Sequence, residues 1–332
     1  MRLSISSSNP SILQSCVVAL TLFALMSCIT EYGARKLGFR PSVADNQFYW
    51  SHTFQRLLRV PHRKCIVIVG ASRAHQGIDP AVLSNELGIP AYQLAIDNTP
   101  SWAIVQRLAK ETSFSGTIFY EVHESGLLSV HRNSGSIMLD YYDNVYNNWS
   151  FIDRKLNART KSYLQERSVL FSNLDPWSLL LRRTMPLPTM RPDRQYILGY
   201  EGYPRYTSIV RKNREEAARK HTLSDHNTRR KEFLNEALPR IRRTNEQLRR
   251  HGGQLILFRI VTSGRYRQYD QEAYPRPDYW DRITPATGVL TIHFSDYEGL
   301  RNISCPEGSH IDSKDAPAYT KQLAHALKNK LQ

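Results

Sequence analysis

Cys65-Ile66-Val67-Ile68-Val69, closed by Gly70 and followed by Ala71-Ser72-Arg73, has no polar residue at any of its first five positions. A strand with one wet face alternates polar and apolar residues, whereas a strand covered on both faces does not. The run therefore reads as an inner strand of a parallel sheet. Downstream, Asp79-Pro80 supplies an N-cap with proline at the first helical position, opening a helix to about Leu87 that Gly88-Ile89-Pro90 ends. Ala91 to Ile96 reads as a second strand, Thr99-Pro100 starts a helix running through Ile104 and Leu108, and Thr117 to Val122 is a third strand. This βαβαβ alternation predicts an α/β fold: a doubly wound, mostly parallel sheet flanked by helices.

From about 130 to 225 the alternation is lost. Tyr141, Tyr142, Tyr146, Asn147, Asn148 and Trp149 mark a Tyr- and Asn-rich stretch, a helical piece is expected near Tyr163 to Leu181, and Pro186 to Tyr206 reads as irregular loop. The segment is expected to be a helical and loop insertion capping the sheet. Residues 205–250 then hold 14 Lys/Arg against 6 Asp/Glu, which is +8 of the chain's net +15. Phe233, Leu234, Ala237, Leu238, Ile241 and Leu248 keep helical spacing, so the basic residues occupy the other faces of a helix ending at Gly252-Gly253. Gln254 to Val261 is another buried strand, Thr291 to Phe294 a last short one, and Ala316 to Leu331 a closing helix.

The 41% apolar and 23% charged composition over 332 residues is that of a globular chain and excludes wholesale disorder. No Gly-x-Gly-x-x-Gly and no paired Cys/His zinc spacing occurs, so neither a dinucleotide cofactor nor a metal is expected. No helix-turn-helix, RNP or finger pattern accompanies the basic stretch, and nucleic acid is not an expected partner. Outside the N-terminal run the only thiols are Cys65 and Cys305. Cys65 begins a strand and Cys305 lies near residues expected at that strand's far end, about 23 Å away. Disulfide geometry needs Cα atoms within about 7 Å, so both are expected to be free.

Residues 11–29, SILQSCVVALTLFALMSCI, contain one Gln and no charge. Nineteen helical residues span about 28 Å, close to the thickness of a bilayer core. Residues 1–31 are therefore expected to be a signal-anchor or transmembrane helix, residues 32–60 a juxtamembrane connector with an amphipathic piece at Phe48 to Leu58, and residues 61–332 the α/β domain. Arg35, Lys36 and Arg40 follow the span while only Arg2 precedes it, which by the positive-inside rule alone favours a cytoplasmic domain.

Two segments carry chemistry. Gly70-Ala71-Ser72 lies just beyond a strand's carboxyl end, where α/β sheets bind ligands. Glu307-Gly308-Ser309-His310-Ile311-Asp312 offers an imidazole with a carboxylate three residues before it and another two after it. A serine needs a base to attack an ester, and the base needs an orienting acceptor. Glu307 takes the orienting role if the segment winds as a turn; Asp312 is its rival if the segment is extended.

Together these segments resemble the SGNH (GDSL-like) hydrolase superfamily, which carries its serine in a Gly-x-Ser block after the first strand and an Asp-x-x-His block near the C-terminus. Glu307 stands for the usual Asp. Gly77-Ile78-Asp79-Pro80, Leu94-Ala95-Ile96, Tyr274-Pro275-Arg276, Tyr279-Trp280-Asp281 and Gly308-Ser309-His310-Ile311-Asp312 are similar to the membrane-anchored bacterial branch found with surface-polysaccharide enzymes. The resemblance covers about 31–128 and 230–330. It implies a flavodoxin-like three-layer sandwich with Ser72 as nucleophile and His310 as base. It also implies an oxyanion hole from the N–H groups of Ser72 and Asn98, the latter where the family has glycine. The family's third-block asparagine is missing, and His123 is the candidate replacement donor. Arg259, Arg276, Tyr279 and Trp280 are candidate acceptor-site residues, with packing an equal explanation for the aromatics. The implied activity is that of a serine esterase or O-acyltransferase on an acylated surface polysaccharide or similar ester. The implied setting is the cytoplasmic membrane, with the domain on its periplasmic side and a polysaccharide export complex as possible company. The alternative is an inactive relative that binds glycan or helps assemble that complex.

Overall fold

Ile66–Val69 forms β1, buried at all four positions as its unbroken apolar run requires. The computed structural model of the chain describes residues 10–60, 64–98, 101–128, 134–172, 184–223 and 225–331. Along it follow β2 (Ala91–Gln93), β3 (Thr117–Glu121), β4 (Thr189–Met190), β5 (Tyr196–Ile197), β6 (Gln254–Arg259) and β7 (Leu290–His293). Five of them form one sheet in the order β2-β1-β3-β6-β7, and each pairing is parallel. Counted among themselves these strands run 2-1-3-4-5, the flavodoxin-like order, in which the winding reverses between β1 and β3.

Alternate residues feed two cores. Val67, Val69, Ile118, Tyr120, Leu255 and Leu257 pack with Trp50, Phe54, Ile104, Leu108, Ile241 and Leu248 on one face. Ile66, Ile68, Phe119, Ile256 and Phe258 pack with Ala74, Leu83, Tyr319, Leu323 and Leu327 on the other. Helices thus cover both sides, giving the α/β layers expected.

The Pro80–Leu87 helix starts where its cap predicts: Asp79 Oδ1 accepts from the N–H of Ala81 at 2.9 Å and of Val82 at 3.1 Å. The second strand is shorter than expected, although Leu94 N–H still reaches Ile68 O and Ile96 N–H reaches Gly70 O. The next helix runs Trp102–Lys110; its expected start at residues 99–100 lies outside the described residues.

Two expectations change. The amphipathic piece, now a Gln47–Leu58 helix, is part of the domain core rather than of a connector: Trp50 and Phe54 are fully buried and Trp50 Nε1 donates to Leu94 O. Burying a side chain of that size stabilises by about 1.5–3 kcal/mol, enough to hold the helix down. The insertion is also more regular than expected. Helices Ser134–Asn144 and Phe151–Arg167 precede the β4–β5 ribbon, and a Pro204–Thr222 helix begins inside the supposed loop. Proline at its first turn is the sequence signal for that start. The expected helix near Tyr163 to Leu181 ends at Arg167, and residues 173–183 lie outside the described residues.

Pro10–Lys36 is one helix, long and apolar enough from Ser11 onward to cross a membrane or serve as a signal sequence. Its end is tied to the insertion, where Glu31 accepts from Ser168 Oγ and from the N–H groups of Val169 and Leu170.

Candidate active site

Gly70 takes the chain off β1 with φ 153°, and a Cβ there would stand 2.7 Å from Glu121 Cβ. Only glycine permits that approach. Ser72 follows as the first residue of a short Ser72–Gly77 helix, beside the β1/β3 reversal. Being first in the helix, its N–H has no acceptor in a preceding turn.

His310 comes from the other end of the domain on a loop pinned to the segment that follows β6. Ser263 N–H donates to Gly308 O at 2.8 Å, and Cys305 N–H donates to Ser263 Oγ at 2.9 Å. Gly308 has φ 96°, so the chain winds back between Glu307 and His310. Gln76 Nε2 donates to Ile311 O at 3.1 Å and thereby ties the Ser72 helix to this loop. Two segments 238 residues apart then meet: His310 Nε2 lies 2.8 Å from Ser72 Oγ. His310 Nδ1 lies 2.6 Å from Glu307 Oε1, which also accepts His310 N–H at 2.6 Å. A neutral ring that donates Nδ1–H to Glu307 accepts the serine hydroxyl at Nε2.

Glu307 is 0% and His310 3% exposed. Burial lowers the His310 pKa, and Arg214 and Arg73 add to that against the opposing pull of Glu307. The ring is therefore neutral at neutral pH, the form that accepts a proton. For Glu307 burial pushes up, but the His310 hydrogen bond and the charges of His310 and Arg214 hold it below its ordinary value. Arg214, from the Pro204–Thr222 helix, forms an ion pair with Glu307 Oε2. Nothing in the sequence pattern singled it out, because it sits within a basic stretch and its partner is 93 residues away.

No protein-family model matches this chain, and no curated protein is significantly similar to it.

Asp312, the rival orienter, is turned elsewhere. Its Oδ2 accepts Tyr200 N–H at 2.9 Å and its Oδ1 accepts Lys314 N–H at 3.1 Å, before the final helix. Asn98 has φ 65°, so it adopts the left-handed conformation that a glycine would supply there.

His123 is a correction. Ser125 N–H donates to its Nδ1 at 3.2 Å and Ser125 Oγ stands 2.5 Å from the same nitrogen; its Nε2 is 2.7 Å from Asp270 Oδ1. Burial pushes its pKa down to about 4, so the ring is neutral and carries a single N–H. With Nδ1 accepting, that N–H sits on Nε2 beside Asp270, and none is left for an oxyanion.

The four candidate acceptor residues are also elsewhere. Tyr279 is 0% and Trp280 2% exposed, both in the apolar core. Arg259 is buried and pairs with Asp270 and with Glu124, at 3.3 Å for the latter. Arg276 pairs with Asp281 at 2.8 Å and Asp296 at 2.5 Å. Packing and internal ion pairs consume all four. Arg73, next to Ser72 in the chain, places its Nη2 3.4 Å from the Tyr266 hydroxyl.

His123, Glu124 and Asp270 bring their ligand atoms within 4.8 Å of one another. The Arg259 guanidinium pairs with both carboxylates, so each already has a cationic partner within the protein. Cys65 and Cys305 are free and buried, and burial raises their pKa to about 11 and about 12.

Proposed function

We propose that the chain is a serine esterase or O-acyltransferase acting on an acylated surface polysaccharide or a similar ester. One observation carries this reading: the unbroken relay from Ser72 Oγ through His310 to Glu307, with separations of 2.8 and 2.6 Å. In the proposed reaction Ser72 Oγ attacks the acyl carbon while His310 Nε2 takes its proton. The N–H groups of Ser72 and Asn98 stabilise the oxyanion. His310 returns the proton to the departing alkoxide, leaving acyl-Ser72. Water or a sugar hydroxyl, deprotonated by the same nitrogen, then attacks the acyl group, and His310 hands that proton back to Ser72. Glu307 stabilises the imidazolium formed in each half.

The engagement of His123 favours a second reading, an inactive protein that binds glycan or helps assemble an export complex. One missing oxyanion donor typically costs about 100- to 1,000-fold in rate. The full chain in detergent, assayed on p-nitrophenyl acetate beside Ser72→Ala, separates the two. Equal rates reject the enzyme, and acyl-polysaccharide binding that Ser72→Ala leaves intact would support the second reading.

The proposed location is a single span in the cytoplasmic membrane with the domain on the outer side. This rests on the apolar Pro10–Lys36 helix and the resemblance, against the basic residues that follow the span. Alkaline phosphatase fused after Gln332 should be active, and green fluorescent protein there dark.

A further inference from the structure

The Pro204–Thr222 helix touches the proposed catalytic loop twice. Arg211 donates from Nε to Pro306 O at 3.0 Å, and Arg214, on the same side of the helix one turn later, pairs with Glu307 Oε2. The two oxygens of Glu307 serve different partners, since Oε1 takes both His310 contacts and Oε2 takes the guanidinium. A carboxylate held at one oxygen alone can swing about its side-chain axis, and one held at both cannot. The carboxylate is fully buried while Arg214 is 36% exposed, so the cation enters from the rim and the anion lies inside. The same helix packs along the Gly264–Ala273 helix, which brings Tyr266 to Arg73 and Asp270 to His123.

We infer that Arg214 is a positioning residue for the Ser72–His310–Glu307 relay: reaching in from the insertion, it locks the Glu307 carboxylate at the oxygen that His310 does not use. Docking of the insertion helix and readiness of the relay are then one event. The inference rests on the esterase reading for its catalytic meaning, but the contact itself can be read without turnover.

His310 is faced by Ser72 and Arg73 from the helix after β1 and by Asp97 from the segment after β2. Glu307 of its own loop and Arg214 of the insertion face it as well. Of these, Arg214 is the cation that pairs with Glu307 itself, and substitution can remove it without touching the serine, the base or its acceptor. The guanidinium opposes protonation of His310, so its loss moves the ring's titration to higher pH.

The test uses the full chain in detergent micelles with 15N-labelled histidine, His310 being assigned by His310→Gln. Arg214→Gln should raise the His310 titration midpoint by about 1 unit. It should lower kcat on p-nitrophenyl acetate by up to about 100-fold with little change in KM. Arg214→Lys, which keeps the charge and loses the planar fork, should restore the midpoint and only part of kcat. Arg211→Gln controls for helix docking and should leave the midpoint in place. An unmoved midpoint with wild-type kcat in a folded Arg214→Gln protein overturns the inference. If that variant does not fold, wild-type kcat and midpoint in Arg214→Lys overturn it instead. Turnover that survives Ser72→Ala sinks the esterase reading alone, because the His310 midpoint still reports on Arg214.

Discussion

Two histidines in this domain each stand between a serine and a carboxylate, and the pair shows why proximity is not enough. His310 reaches Ser72 Oγ at 2.8 Å and Glu307 at 2.6 Å; His123 reaches Ser125 Oγ at 2.5 Å and Asp270 at 2.7 Å. The first trio is assembled from distant segments and points Nε2 at a serine one residue past a strand-to-helix turn. The second is local: Ser125 is two residues from His123 and sets both its amide and its hydroxyl on Nδ1. The same His-x-Ser arrangement recurs at His293 and Ser295, with 2.7 and 3.2 Å contacts, where it ends a strand. The local version is a turn device. The assembled one sets its Nε2 on a serine at the start of a helix.

The largest expected effect breaks or keeps that distinction. Ser72→Ala should cut esterase turnover by at least about 10³-fold, the usual consequence of losing a triad nucleophile, while Ser125→Ala stays within a few-fold of wild type. Comparable losses in both variants would mean that the local trio also does chemistry. Glu307→Gln comes next: a carboxamide disturbs the Nδ1–H tautomer, and about 10²- to 10⁴-fold of kcat should go with it. Asp312→Asn should leave kcat nearly unchanged and lower the melting temperature, since Asp312 serves the Tyr200 and Lys314 amides. The opposite pattern assigns the orienting role to Asp312.

The sequence carried the strands of this fold because parallel strands buried on both faces announce themselves as unbroken apolar runs, as in Ile66–Val69 and in 255–258 within Gln254–Arg259. Ser72, Glu307 and His310 were legible because a loop beyond a strand end and a carboxylate-x-x-His spacing are local patterns. Arg214 was not. Its meaning depends on a contact across 93 residues, and composition placed it on a solvated face. Tyr279 and Trp280 misled for the converse reason, since large aromatics near a site look alike in sequence whether they line it or support it. His123 was half legible: Ser125 two residues on is visible, but the Asp270 that closes its other nitrogen is not.

Stability should reverse the ranking of the two carboxylates. Asp270→Asn leaves Arg259, almost fully buried, with Glu124 as its remaining carboxylate partner. Breaking a buried pair costs about 3–5 kcal/mol. Glu307→Gln leaves Arg214 at the rim, where water can reach it, and should cost less, near the roughly 1–3 kcal/mol of an unmade buried hydrogen bond. Urea unfolding of both variants checks this. A more severe loss in Glu307→Gln would show the relay to be part of the structural framework as well.

The smallest effect concerns pH and separates the two histidines by slope. Burial, with Arg73 and Arg259, outweighs Asp270 and holds His123 at about 4, whereas an unfolded-chain histidine titrates near about 6.5. Between those values the unfolded chain binds a proton that the folded chain does not, so stability falls as pH drops through that window and levels off below it. His52, at about 4, and His293, at about 3, act with the same sign. Each such group contributes at most about 1.4 kcal/mol per pH unit, so His123→Asn should flatten the decline between about pH 6 and 4.5 by about that amount. His310 is also lowered, but its protonation is read in the rate: kcat/KM should fall on acidification with a midpoint below about 6.5, unchanged in His123→Asn. An acid slope unaffected by His123→Asn would mean that His123 is protonated when folded. Its Nδ1 would then carry a proton of its own rather than accept one from Ser125, and the contrast between the two trios would lose its basis.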